Sequence, residues 1–138
     1  MQWLTTHRYL GTEFDWVASD SNGRLGYFST AGFGGIPASV AAIDDEMYGI
    51  CDAVAVLPER GAMKLLSHLT NVDDWIRVAM RGFFAYDWNH ERDCYAPISI
   101  PTSPLFLTDL GLESPIRKAA ELCRMNENFS GEQDIELR

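Results

Sequence analysis

Positive charge is scarce in this chain. Eleven Lys and Arg face twenty Asp and Glu, a net charge of −9 at pH 7, and the acidity is spread over both halves. Such a balance repels nucleic-acid phosphates and anionic lipid and favours basic surfaces, so neither nucleic acid nor a membrane is an expected partner. Long apolar runs are missing too. No stretch approaches the roughly 20 apolar residues that span a bilayer, and Met1–Arg8 has no basic start leading into an apolar run, as an export signal requires. The three cysteines, Cys51, Cys94 and Cys123, are widely spaced without a CxxC. Neither a disulfide framework nor a zinc site is expected from them, and a reducing, cytoplasmic setting fits best.

Catalytic and ligand motifs are equally thin. His7, His68 and His90 have no HxH, HxxxH or HExxH spacing, and no GxSxG precedes a helix. Thr30-Ala31-Gly32-Phe33-Gly34-Gly35 runs towards a helix, where a phosphate cradle would sit, but it ends in Gly-Ile-Pro rather than Gly-Lys-Ser/Thr and reads as a tight structural turn. Asp20-Ser21-Asn22-Gly23 resembles the start of a calcium loop without its downstream bidentate Glu. No metal and no cofactor is expected. His90, among Asp87, Glu91 and Asp93, is the one candidate for acid–base chemistry.

What is present is aromatic and apolar material in a legible order. Phe14–Ala18 and Leu25–Ser29 read as strands around an Asn22-Gly23 turn. Val40, Ile43, Met47, Ile50, Val54 and Leu57 then recur three and four apart, an amphipathic helix closed by Pro58. A second helical stretch is expected over Ala62–Leu69, and a third from an Asn71 cap with Asp73 and Asp74 in its first turn. Phe83–Trp88 and Cys94–Ile100 form a second hairpin, whose return strand carries Pro97 and so reads as an edge. Ser114-Pro115 opens a last helix. The expectation is an α+β fold, an antiparallel sheet of two aromatic-rich hairpins packed against three to four helices. It occupies residues 1–125 as one domain, and 126–138 form an acidic, flexible tail.

Phe14–Pro37, Gly82-Phe83-Phe84-Ala85-Tyr86-Asp87-Trp88 and Pro101–Leu105 resemble a loosely defined group of small bacterial cytosolic proteins, some of them similar to immunity proteins of polymorphic or secreted toxin systems. The resemblance implies a protein that binds and neutralises a cognate toxin, and it transfers no catalytic residue. A basic toxin would meet complementary charge. The candidate contacts are Asp44, Asp45, Glu46, Asp52 and Glu59 along the first helix, and Asp87, Trp88, Glu91 and Asp93 around the second hairpin. A small enzyme using His90 and a homodimer joined through uncovered aromatic surface remain the alternatives.

Overall fold

The computed structural model describes residues 1–67, 71–129 and 132–137. Four strands open the chain: β1 (Trp3–Leu4), β2 (Asp15–Ser19), β3 (Leu25–Ser29) and β4 (Ile36–Pro37). Helices α1 (Ala38–Ala41) and α2 (Asp44–Ala55), strand β5 (Met63–Leu65) and helix α3 (Asp73–Met80) follow. The second hairpin, β6 (Phe84–Asn89) with β7 (Cys94–Pro101), precedes helix α4 (Pro115–Leu122) and strand β8 (Ile135–Glu136). The architecture is α+β, and each expected hairpin is antiparallel. They share one sheet in the order β2-β3-β6-β7-β5, with β8 also beside β7. The seam between the hairpins, β3 against β6, is parallel. Parallel neighbours need a long crossover, and the stretch that carries α1, α2 and α3 supplies it.

Strand alternation divides the sheet into two chemically different faces. Trp16, Phe28 and Tyr86 lie in register across β2, β3 and β6. Their rings stack, with centroids 4.1 Å apart for Trp16 and Phe28 and 4.9 Å for Phe28 and Tyr86. Tyr95 meets Trp16 and Phe28 edge-on, and its hydroxyl accepts from Trp16 Nε1 (3.2 Å) and donates to Gly35 O (2.7 Å). Each such ring pair adds about 0.5–1.5 kcal/mol beyond its area burial. On the opposite face the same register aligns Asp15 with Ser29 and Asp87, and Val17 with Tyr27 and Ala85. The helices cover this side: Ser19 Oγ donates to Ala120 O of α4 (2.7 Å), and Ser99 Oγ to Trp75 O of α3 (2.8 Å).

The segment after residue 125 differs most from expectation. Rather than a loose tail, it closes the aromatic face. Phe129 is fully buried against Phe28, Phe84 and Tyr86, Ile135 is buried, and β8 pairs with β7. The anchor is Asp20, itself fully buried in the first hairpin turn. Its carboxylate accepts from the backbone N–H of Asn22 (2.9 Å), Arg24 (2.8 Å) and Phe129 (2.8 Å), and pairs with Arg24 Nε at 3.3 Å. With these donors in place Asp20 serves as a structural acceptor. Although this segment has few apolar residues, Phe129 and Ile135 each find a prepared place.

Four local expectations are corrected. The long helix is broken at Ala42–Ile43, where Ile43 leaves helical angles (φ −123°, ψ 25°). The restart places Asp44, Asp45 and Glu46 in a first turn, where the helix dipole favours carboxylates. Because α2 ends at Ala55, Glu59 is not on a helix. Of the helix expected over Ala62–Leu69, Met63–Leu65 is instead a strand on the edge of β7, and 68–69 lie outside the described residues, as does His68. Asn71 adopts a positive φ of 62° and Val72 precedes α3, so Asn71 does not cap it. β7 is interior: β5 and β8 divide its outer side between them, and Pro97, partner of Tyr86, sits between their registers beside a bulge, where a strand residue without an N–H is tolerated.

Candidate functional site

Where α2 and α3 diverge over the helix-covered face, they leave an open cleft of about 420 Å³. Its floor is the start of β2 and the middle of β3, which contribute Asp15 and Tyr27. Tyr48, Cys51 and Asp52 line it from α2, Asp74, Arg77 and Val78 from α3, and Glu13 and Arg81 stand at its ends. Tyr27 Oη donates to Asp15 Oδ2 at 2.8 Å, and Cys51 Sγ lies 3.6 Å from Asp15 O. The Tyr27 hydroxyl and the Cys51 thiol hold their protons. Burial raises the Asp15 carboxyl above the usual carboxylate range, against the hydrogen bonds from Tyr27 and Ser29 that favour its charged form. Burial raises the Tyr27 hydroxyl too, and pushes the Cys51 thiol up to about 12. A thiol so protonated is a poor nucleophile near neutral pH. The cleft is built to hydrogen-bond and to present negative charge.

Its cations are turned to other tasks. Arg77 Nη1 pairs with Asp74 (3.4 Å), while Arg81 donates to Leu57 O (2.8 Å) and Arg77 O (3.0 Å). No ion pair reaches Glu13, Asp15 or Asp52 among the described residues. Asp87, across Ser29 from Asp15, is half-buried; burial first, then the fields of Glu13 and Asp15, push its carboxyl up to about 6.

The nine acidic and aromatic candidates read from the sequence do not form one surface. Asp44 and Asp45 both bind Arg8, Asp44 Oδ2 at 3.0 Å from its Nε, so their charge is already met within the chain. Asp52 lies in the cleft, whereas Glu46 lies on the rim of a separate shallow groove between α2 and α4, beside Lys118. Glu59 is exposed beyond the helix. Asp87 and Trp88 point to opposite faces: Trp88 is buried edge-on to Tyr95 at 5.1 Å, and its Nε1 has no hydrogen-bond partner among the described residues. Glu91 and Asp93 are exposed in the turn after β6 with His90. The His90 ring packs 5.1 Å from that of Phe33, and no carboxylate bond to it occurs among the described residues, so the neighbouring acids do not orient it.

No family model, curated protein or solved structure matches the chain. The site is therefore argued from its own residues. Sequence reading missed Glu13, Asp15, Tyr27, Tyr48 and Cys51 because it placed the acidic contacts along the first helix and around the second hairpin. The signal was nevertheless present as one pattern used twice. Phe14-Asp15-Trp16 and Tyr86-Asp87-Trp88 each set an Asp between two aromatic residues on a strand. Alternation sends Trp16, Tyr86 and Trp88 to the ring-stacked face and both carboxyls to the helix side, while Phe14, just before β2, packs against Tyr9 and Tyr48.

Proposed function

We propose that the protein is an immunity-type binding protein, which neutralises a basic protein toxin by receiving one of its cationic side chains in the acidic cleft between α2 and α3. The observation that carries this reading is that no ion pair reaches Glu13, Asp15 or Asp52 among the described residues, while Arg77 is held by Asp74 and Arg81 by the backbone carbonyls of Leu57 and Arg77. An incoming ammonium or guanidinium group would restore a counter-charge to a partly desolvated carboxylate, and the molecule's net charge of −9 would speed the encounter. The Tyr27 and Tyr48 rings offer flat walls for the stem of a long basic side chain. The protonated Cys51 and Tyr27 favour binding over nucleophilic chemistry in the same cleft.

Co-expression with the product of the adjacent reading frame tests it. That product should arrest growth alone and be silenced by this protein. Asp52→Lys, at an exposed position on the cleft wall, should slow association about tenfold or more and abolish rescue. Asp45→Asn, whose carboxylate already serves Arg8, should leave rescue intact. A harmless neighbour, or rescue unaffected by Asp52→Lys, would overturn the assignment.

A further inference from the structure

Phe33 presents a large apolar ring to water, 59% exposed, at the loop between β3 and β4. The loop that carries it is unusually well fixed. Buried Thr30 accepts from Phe14 N (3.1 Å) and Gly32 N (3.3 Å) at Oγ1, and from Phe33 N (3.0 Å) and Gly34 N (2.9 Å) at its carbonyl. His7 Nε2 donates to Gly34 O at 2.9 Å. At Gly34 a Cβ would lie 2.7 Å from Tyr95 Oη and 3.1 Å from the Trp88 indole, so the backbone rests directly on the aromatic layer. Ala31 is held at a φ of 51°, a conformation costly for a residue with a Cβ. An exposed phenyl group kept in place by this many constraints is preorganised, and preorganised aromatics make effective interface anchors.

Its neighbour is the turn after β6. The imidazole of His90 tilts 39° against Phe33, and Glu91 and Asp93 leave the same turn exposed. The turn's own cation, Arg92, is drawn away to Asp134 at 3.2 Å, and no ion pair reaches Glu91 or Asp93 among the described residues. Flat aromatic surface beside unpaired carboxylates matches a guanidinium, which stacks through its plane while donating through its edge; an ammonium can do only the second. We propose that Phe33, His90, Glu91 and Asp93 form a docking platform for an arginine side chain of a partner protein. This deepens the reading of the protein as a binder of a basic toxin and rests on it for the partner's identity. Parallel β3 and β6 bring this platform to the same end of the sheet as Asp15 and Asp87.

Octa-arginine and octa-lysine, titrated separately into the isotope-labelled protein and followed by amide NMR shifts, separate stacking from charge alone. Octa-arginine should shift Gly32, Phe33, Gly34 and His90 and bind about three- to fivefold tighter than octa-lysine. Phe33→Ala should erase those shifts and bring octa-arginine down to the octa-lysine level, whereas Phe33→Trp should preserve the difference. The spectra themselves report whether each variant is folded. Equal affinity for the two peptides, or platform shifts that persist in Phe33→Ala, would overturn the platform. Shifts confined to the cleft would do so too, while leaving the proposed function standing. Failure of the co-expression rescue with the arginine preference intact would remove the toxin and keep the platform.

Discussion

Asp87 shows how one residue's position on a strand sets its chemistry. It lies on the helix-covered face, opposite Ser29, and burial holds its carboxyl at about 6. The unfolded chain titrates it near 4, so between those values the folded state binds more protons. Stability from that proton is therefore fully present below about pH 4 and lost as pH rises through about 6. Asp15, raised for the same reason, acts with the same sign. Asp87→Asn keeps the side-chain shape and should stabilise the protein by about 1 kcal/mol at neutral pH, the full shift being discounted for its contact with water. Urea unfolding across that range should show a flatter fall for the variant, and an unchanged slope would place the carboxyl in solvent. The sequence made this residue visible but not its direction. Asp87 and Trp88 were read together as one partner contact, yet adjacent strand residues face opposite ways, and Trp88 belongs to the aromatic layer.

At the scale of elements, the first hairpin turn and the C-terminal segment act as one unit. Asp20 accepts three backbone N–H groups, one of them from Phe129, and the edge of β2 is extended where Met125 N donates to Ser19 O (2.8 Å) and Ser19 N to Cys123 O (3.0 Å). Asp20→Ala would strand buried donors together with the Arg24 charge, an expected loss of about 3–5 kcal/mol. Hydrogen exchange should show Phe129 and β8 opening first, and protection there equal to that of the parent would refute the latch. Both hairpins and the Ser114 cap of α4 were legible because their signals are local: alternation, turn residues, a hydroxyl accepting from Arg117 N at 3.3 Å. The turn itself was read from Asn22-Gly23, whereas the buried Asp20 organises it. β5 and β8 were illegible because each is short and owes its form to the open side of β7. Tertiary pairing overrides weak local preference in such segments.

Over the whole molecule, acidity has two consequences. It favours encounters with cationic surfaces over anionic ones, and it works against compactness through self-repulsion. Raising sodium chloride from about 0.01 M to about 0.2 M shortens the Debye length from about 30 Å to below 10 Å and should raise Tm by about 3 °C. A fall in a thermal scan would mean that local pairs such as Arg8 with Asp44 outweigh the net repulsion. Strand order was the least readable property, since two hairpins separated by helices can pair in several ways. The parallel seam that resolves it also bears on how the chain reaches this state. Each hairpin can close on its own over a handful of residues, but β3 meets β6 only after everything from Thr30 to Phe83 has been gathered into a loop. The entropy of that closure comes before any reward from the seam, so the seam sets the pace of folding more than the depth of the native well.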